Sequence, residues 1–219
     1  MKKLVIFDLD GTLLNTIEDL GHAVNHALQA HGYPTHSIAS YPFFVGNGVR
    51  KLMKRALPDE DVDDMTLNTL LRDFKAFYDQ NNCVHTRPYN GIVELLRDLR
   101  SQGIALAVAS NKYQSAVETI ISHYFGEFEW VAVEGHKEGM NPKPDPSIVF
   151  QILAKAGVPK SDVLYVGDSG VDIETARRAC IDNVGVTWGF RPVKELKEFY
   201  ANNIVDSPDQ ILAIATAPR

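Results

Sequence analysis

Short apolar runs alternate with amphipathic stretches along most of this chain. The runs are rich in Val, Ile and Leu and predict buried strands, whereas the stretches carry apolar residues three and four positions apart and predict helices. The predicted strands are Leu4–Phe7, Ile104–Ala109, Trp130–Val133, Val163–Val166, Asn183–Thr187 and Asn203–Val205. The predicted helices are Gly91–Ser101, Gln114–His123, Pro146–Ala156, Val171–Ala179 and Pro208–Ala215. Alternation of this kind favours an α/β fold with a doubly wound, Rossmann-like parallel sheet covered on both faces.

The segment 15–86 departs from this alternation. It shows helical periodicity, for example at Leu20, Val24 and Leu28, and no convincing strand. The turn-forming residues around 86–91 indicate where the chain returns to the alternating pattern. We therefore predict a core made of residues 1–14 and 87–219, with a small α-helical domain of residues 15–86 inserted after the first strand.

Composition limits the class of protein. The 219 residues are 45% hydrophobic and 23% charged, which is typical of a globular chain. The formal net charge of −6 argues against nucleic-acid binding through a basic surface, and no apolar run is long enough to predict a membrane partner. Cys83 and Cys180 lack the CxxC spacing and are interpreted as free thiols. With no signal peptide ahead of the first strand, we expect a cytoplasmic protein.

The first predicted strand ends in two carboxylates. Asp8 and Asp10 point the same way because side chains alternate along a strand, and two like charges this close need a cation or a shared proton. This arrangement suits a divalent metal and a phosphoryl group, with Asp8 as nucleophile and Asp10 as general acid and base. Gly11 permits a tight turn, and Thr12 offers a hydroxyl and an N–H group to a substrate. The alternative is an ordinary Asp-Gly turn.

A second strand also runs into carboxylates. Asp168 follows Val163–Val166 directly, and Asp172 lies four residues later at the start of a predicted helix. Mg²⁺ prefers oxygen ligands, so Asp168 is a candidate ligand. Asp172 is either a ligand, an acceptor that orients metal-bound water, or an acid favoured by the helix dipole.

Three further polar residues are candidates for phosphate binding. Ser110 and Asn111 follow the strand Ile104–Ala109, at the edge where open α/β sheets bind ligands. The alternative for Ser110 is a helix cap. Lys143 lies between prolines in a rigid loop and is placed to neutralise a phosphoryl group and Asp8.

These four motifs, in this order, resemble the haloacid dehalogenase (HAD) superfamily, and the resemblance covers essentially the whole chain. It implies a doubly wound core with a helical cap. It also implies that Asp8 attacks phosphorus to form an aspartyl phosphate, while Asp10 protonates the leaving oxygen and then activates water. Ser110 and Lys143 would stabilise the transferring group.

The same resemblance implies a Mg²⁺ cofactor. The ion would be held by the carboxylate of Asp8, the backbone carbonyl of Asp10 and the carboxylate of Asp168, with Asp172 orienting metal-bound water. The implied activity is hydrolysis of a small phosphate monoester.

At a finer level the chain is similar to the phosphoglycolate phosphatase subgroup, which suggests 2-phosphoglycolate as the metabolite. The similarity lies in the segment Phe43–Val49, in Asn111 with Lys112, and in Gly185–Phe190. The cap loop residues Gly46 and Asn47, with Gly48, are candidates to present N–H groups to a substrate carboxylate, and Arg50 is a candidate for a bidentate contact. The alternatives are a helix entry turn and a solvated helix charge.

Other functions remain open at this point. A phosphomutase of the β-phosphoglucomutase type would resemble the core, but such enzymes carry a His where this chain has Leu20. A pyrophosphatase is poorly separated by sequence, and a binding module without activity is disfavoured by the retained carboxylates. Relatives usually carry Gly where this chain has Cys180, which questions the helix end there. His22 and His26 share a helix face but lack an obvious third metal ligand.

Overall fold

The structure, a computed structural model, describes residues 1–59 and 62–218. Its strands are β1 (Leu4–Phe7), β2 (Leu14–Asn15), β3 (Arg87–Pro88), β4 (Ala105–Tyr113), β5 (Trp130–His136), β6 (Val163–Gly167), β7 (Asp182–Val186) and β8 (Asn203–Val205). Its α-helices are α1 (Ile17–Ala30), α2 (Val49–Ala56), α3 (Asp64–Asn81), α4 (Ile92–Ser101), α5 (Gln114–Phe125), α6 (Ser147–Ala156), α7 (Gly170–Ala179), α8 (Val193–Glu198) and α9 (Pro208–Thr216). Two 3₁₀ turns span Ile38–Phe43 and Lys160–Asp162.

Six strands form one parallel sheet in the order β5-β4-β1-β6-β7-β8. Phe7 at the end of β1 lies opposite Val108 on β4 and Val166 on β6. The three central strands therefore reach their carboxyl edge at the same level. This topology confirms the predicted doubly wound α/β fold.

The alternation of side chains on β1 explains why helices cover both faces. Leu4 and Ile6 pack into one apolar cluster with residues of α6 and α7. Val5 and Phe7 point to the opposite face and pack with α4, α5 and α9. Both faces are fully buried, which is why the strand reads as a continuous apolar run. Within the described ranges, no helix combines the length and the apolar character needed to cross a bilayer.

The three helices α1, α2 and α3 lie between β2 and β3, and α3 packs against both α1 and α2. The two short strands pair antiparallel, Leu14 with Pro88 and Asn15 with Arg87. The chain therefore enters and leaves this helical segment at adjacent points. The pairing was not predicted, because two-residue strands carry no periodic signal.

Several element boundaries differ from the prediction. β4 continues through Ser110 to Tyr113, with a register shift after Ala109, because it goes on pairing with β5 as far as His136. The prediction that Ser110 follows the strand was therefore wrong. Helix α8 was not predicted, since Leu196 is its only buried residue.

Candidate active site

The candidate site lies at the carboxyl edge of the three central strands. Asp8 follows β1, Ser110 lies in β4 and Asp168 follows β6, and all three side chains are buried. Lys143 reaches the same place from the loop between β5 and α6. The structure thus brings together the four motifs that the sequence analysis singled out.

Lys143 lies at the centre of the site and binds two of its carboxylates. Its buried Nζ lies 2.7 Å from Oδ1 of Asp8 and 2.7 Å from Oδ1 of Asp172, and it also donates to the carbonyl of Ala109 at 2.9 Å. Burial lowers the pKa of the ammonium, but Asp172 and Asp8 outweigh this effect and hold the pKa well above its usual value. Lys143 is therefore a fixed positive charge beside Asp8.

Three buried carboxylates surround this single ammonium. One oxygen each from Asp8, Asp168 and Asp172 lies within 4.8 Å of the others. Burial and the neighbouring Asp172 raise the pKa of Asp8 to about 7, and burial with Asp172 raises the pKa of Asp168 well above its usual value. The cluster carries more negative charge than its surroundings neutralise. A set of oxygen ligands with excess negative charge fits a hard divalent cation such as Mg²⁺.

Two glycines make room for Asp168. A Cβ on Gly11 would lie 2.4 Å from Oδ2 of Asp168, and one on Gly189 would lie 2.2 Å from its Cβ. Oδ2 also accepts a hydrogen bond from the N–H of Phe190 at 2.7 Å. Gly11 therefore contributes space for the carboxylate in addition to the predicted turn, with φ at 89°.

Asp172 occupies the third position of α7 and forms a capping box with Ser169. Its Oδ2 accepts a hydrogen bond from the hydroxyl of Ser169 at 2.5 Å, while Oδ1 accepts from Lys143. Both oxygens are thus engaged by protein donors. Of the three predicted alternatives, this geometry matches the helix-terminal acid. The contact of Asp172 with Lys143 was not among them.

The carboxylate of Asp10 does not belong to the cluster of Asp8, Asp168 and Asp172. Its Oδ1 accepts a hydrogen bond from the hydroxyl of Thr16 at 2.6 Å and lies 3.0 Å from Nζ of Lys112. Lys112 in turn donates to the hydroxyl of Tyr78 on α3 at 2.9 Å. Burial, followed by the charge of Asp10, raises the pKa of Tyr78 well above its usual value, so the hydroxyl stays neutral. The sequence analysis missed this chain of contacts.

Thr12 does not line the cavity. Its carbonyl accepts a hydrogen bond from Nε1 of Trp188 at 3.0 Å. Among residues 1–59 and 62–218, no atom hydrogen-bonds to its buried Oγ1. The hydroxyl predicted to contact substrate is therefore enclosed by protein.

Gly46 and Gly48, in the loop before α2, line the cavity. The side chain of Asn111 connects this loop to the core, because Nδ2 donates to the carbonyl of Gly46 at 3.3 Å and Oδ1 accepts from the N–H of Lys143 at 2.7 Å. Asn47 is bound by Arg55, whose Nη2 lies 2.7 Å from Oδ1. Asn111 and Asn47 thus organise the loop.

Arg50 is not among the residues that line the cavity. Its exposed guanidinium binds Asp64 and Asn68 on α3 instead. Arg191, which the sequence analysis did not single out, does line the cavity and donates to the carbonyls of Pro42 at 3.1 Å and Val45 at 2.5 Å. No local pattern marked this role of Arg191, because the two carbonyls that it binds lie 149 and 146 positions away in sequence.

The enclosed space is small. The cavity between the helical segment and the sheet edge has a volume of about 60 Å³. Asp8, Asp10 and Lys143 lie on its sheet side, whereas Val49 and Tyr78 lie on its helical side. Such a space fits a few heavy atoms, so a bound molecule must be small or must displace the covering segment.

Comparison with known proteins agrees with this geometry. The family model of haloacid dehalogenase-like hydrolases matches residues 5–186 of this chain. A phosphoglycolate phosphatase from Pseudomonas savastanoi pv. phaseolicola is 35% identical over 204 residues, covering 89% of this chain and 74% of that protein. One from Mesorhizobium japonicum is 31% identical and covers 96% of this chain and 93% of that protein.

Solved structures give the same result. A candidate phosphoglycolate phosphatase from Lactobacillus delbrueckii subsp. bulgaricus superposes with a TM-score of 0.92 at 33% identity over the full length of both chains. Another, from Haemophilus somnus, gives a TM-score of 0.90 at 30% identity over 98% of both chains. The predicted resemblance and the prediction of a phosphatase are confirmed. The chain belongs to the haloacid dehalogenase-like hydrolase family.

Proposed function

We propose that this protein hydrolyses a small phosphate monoester through a phosphorylated Asp8, with Mg²⁺ as cofactor. The observation that carries the proposal is the position of Asp8, whose carboxylate lines the cavity while Lys143 holds one of its oxygens. Lys143 neutralises charge and fixes the direction of the carboxylate, and both effects favour in-line attack on phosphorus.

The reaction has two balanced steps. First, Oδ2 of Asp8 forms a bond to phosphorus while the bond from phosphorus to the ester oxygen breaks, and Asp10 gives its proton to that oxygen. Second, Asp10 takes a proton from a water molecule that attacks phosphorus, and the acyl phosphate bond breaks to release inorganic phosphate. Thr16 and Lys112 support this role of Asp10, because they hold its carboxylate beside the cavity.

The carboxylates of Asp8 and Asp168, with the backbone carbonyl of Asp10, are the proposed ligands of Mg²⁺. The ion would balance the charge of this cluster and of the transferring phosphoryl group. Asp172 acts mainly through Lys143, since both of its oxygens are already engaged. Ser110, which is buried and lines the cavity, is proposed to bind a phosphoryl oxygen.

We further propose that residues 15–86 act as a cap on a core of residues 1–14 and 87–219. The pairing of Leu14 with Pro88 and of Asn15 with Arg87 places both connections side by side, as a hinge requires. Closure of the loop containing Gly46 would exclude bulk water during phosphoryl transfer.

The proposed substrate is 2-phosphoglycolate or a similarly compact phosphate ester that carries a carboxylate. The named relatives support this choice, as does the small cavity with Lys112 and Arg191 in its lining. A phosphomutase activity is less well supported, because the residue at the position of its His is Leu20, an apolar side chain that lines the cavity.

The test is a phosphate-release assay with Mg²⁺ over a panel that includes 2-phosphoglycolate, sugar phosphates, nucleotides and pyrophosphate. We expect the highest kcat/KM for the carboxylated two-carbon ester and no need for a bisphosphate activator. Asp8→Asn should abolish release, whereas Asp98→Asn, a control on the exposed face of α4, should not. Retained activity in Asp8→Asn, or beryllium trifluoride bound away from Asp8 in a metal-loaded crystal, would refute the mechanism. A preference for pyrophosphate would refute only the substrate.

A further inference from the structure

A second cluster of potential metal ligands lies outside the active site. Glu18 and His22 are one turn apart on α1, and His85 lies between α3 and β3. One ligand atom from each lies within 4.8 Å of the others. The imidazole centroids of His22 and His85 are 5.3 Å apart, and Nδ1 of His85 is 3.6 Å from Oε1 of Glu18. The tertiary fold thus groups His22 with Glu18 and His85, and this group does not include His26, with which the sequence analysis had paired His22.

The main chain at His85 is fixed in place. Buried Asp19, the neighbour of Glu18 on α1, accepts hydrogen bonds from the N–H of His85 at 2.9 Å and from the N–H of Thr86 at 2.9 Å. It also accepts from the hydroxyl of Thr86 at 2.8 Å. The three ligands are therefore carried by two segments that Asp19 joins, which reduces the entropy lost when a metal orders their side chains.

The two imidazoles lack other partners. Among the described residues, neither the ring of His22 nor that of His85 makes a hydrogen bond to another protein atom within 3.5 Å. Other histidines have such partners: Nε2 of His31 lies 2.7 Å from Asp73, and Nε2 of His36 lies 2.7 Å from the carbonyl of Ala56. The ring nitrogens of His22 and His85 are therefore available as metal ligands.

The donor set indicates the class of ion. Two imidazoles and one carboxylate are typical ligands of Zn²⁺, which accepts three protein ligands and a water molecule, whereas Mg²⁺ prefers oxygen alone. Glu18 and Asp19 contribute negative charge, while the guanidinium of Arg87 is nearby and binds the carbonyls on either side of His85. We propose that Glu18, His22 and His85 form a binding site for a divalent transition-metal ion of the Zn²⁺ type.

This site is independent of the proposed phosphatase activity. It joins α1 to the segment that returns to β3, so an ion bound there stabilises the base of the helical segment 15–86. Because the ion binds the folded chain, it raises the midpoint of thermal unfolding as its concentration rises above Kd.

The experiment is direct metal binding by the untagged full chain in excess Mg²⁺, which competes with Zn²⁺ for the oxygen ligands of the Asp8 cluster. We expect one equivalent of Zn²⁺ by isothermal titration and one equivalent of Co²⁺ with visible absorption bands. His22→Ala and His85→Ala should each weaken binding by about 10-fold or more, and Glu18→Gln should weaken it with the least change to packing. His26→Ala is the matched control, because its ring stacks on Phe77 at 4.2 Å and is not a ligand.

NMR spectroscopy of the histidine rings provides a second test of the metal ligands. In NMR spectra of the histidine rings, Zn²⁺ should shift the ring nitrogens of His22 and His85 and leave that of His31 unchanged. Equal affinity of the wild type with both alanine variants overturns the proposal. Absence of stoichiometric Zn²⁺ binding also overturns it. The same holds if Cys83→Ser loses Zn²⁺ binding while His22→Ala retains it. None of these outcomes bears on phosphate release.

Discussion

Asp8 and Asp168 share a buried space with Asp172 and one ammonium group, and this crowding determines how the site responds to pH. Burial and Asp172 raise the pKa of Asp8 to about 7 in the folded chain, above its value of about 3.9 in an unfolded chain. The folded state thus binds more protons than the unfolded state between these two values. The contribution of Asp8 to stability is complete below about pH 4 and is lost as the pH rises through about 7.

We predict that Asp8→Asn stabilises the metal-free protein, and more at pH 8 than at pH 5. The reason is that the amide removes a charge that the cluster does not neutralise. Each kcal/mol gained raises the unfolding midpoint by about 2 to 4 °C. The measurement is thermal unfolding of both proteins in EDTA across this pH range. With saturating Mg²⁺ the difference should reverse, because the wild type gains a ligand; an unchanged difference would contradict the predicted metal site.

Cys180 ends α7 with φ at 58° and ψ at 48°, in the left-handed region that favours glycine. The sequence analysis questioned whether the C-terminal cap of α7 would form with a cysteine where relatives usually carry glycine. The structure shows that the cap forms with Cys180. We predict that Cys180→Gly raises the free energy of unfolding by about 0.5 to 1 kcal/mol, since strain relief of about 1 to 2 kcal/mol exceeds the entropy cost of glycine. Urea denaturation measures the change. Cys180→Ala, which keeps a Cβ, should give no such gain.

At the scale of elements, the site depends on contacts between the core strands and the helical segment. Lys112 at the end of β4 links Asp10 to Tyr78 on α3, and Arg191 after β7 binds the loop at Pro42 and Val45. These contacts fix Asp10, the proposed acid and base, relative to the loop before α2.

We predict that Lys112→Met lowers kcat by about 10- to 100-fold, a part of what a well-placed acid and base supplies. The variant leaves Asp10 without the cation that orients it. Tyr78→Phe removes only the hydroxyl and should have a smaller effect. Steady-state kinetics on the best substrate of the panel test this expectation, and a change confined to KM would contradict a role through Asp10.

We predict that Arg191→Ala raises KM by about 30-fold, because two hydrogen bonds of roughly 1 kcal/mol each no longer hold the loop over the cavity. Lys194→Ala, an exposed residue on α8, is the control. Equal KM values for wild type and Arg191→Ala would show that the contact with Pro42 and Val45 does not organise substrate binding.

At the scale of the whole molecule, the cavity of about 60 Å³ lies between the sheet edge and the helical segment, and we proposed above that residues 15–86 close over it as a cap. We predict that Mg²⁺ with beryllium trifluoride slows amide exchange in segments 42–49 and 188–191 together. Hydrogen–deuterium exchange detected by mass spectrometry measures both segments at once. Protection confined to the residues around Asp8 would contradict closure, and a metal-only sample is the control.

Much of the fold followed from local pattern. Strand β1 and strand β8 were predicted with their observed bounds, because short apolar runs between turn residues have few alternatives. The end of β4 was wrong, since pairing with β5 carries Ser110 into the strand. Arg50, at the start of α2, was a candidate for contact with a substrate carboxylate, yet its guanidinium binds Asp64 and Asn68 on α3. The end of β4 and the partners of Arg50 both depend on which elements become neighbours in the folded chain.

The sequence by itself determined the α/β core, the carboxylates at the strand ends and the membership of a phosphatase family. These properties depend on the order of side chains along one strand or motif. Only the tertiary structure decided that Lys143, which the sequence placed near Asp8, also binds Asp172, that Arg191 binds the loop before α2 and that His85 lies beside His22. The physical reason is that each of these contacts joins segments far apart in sequence, and their meeting depends on how helices and loops pack over the sheet edge.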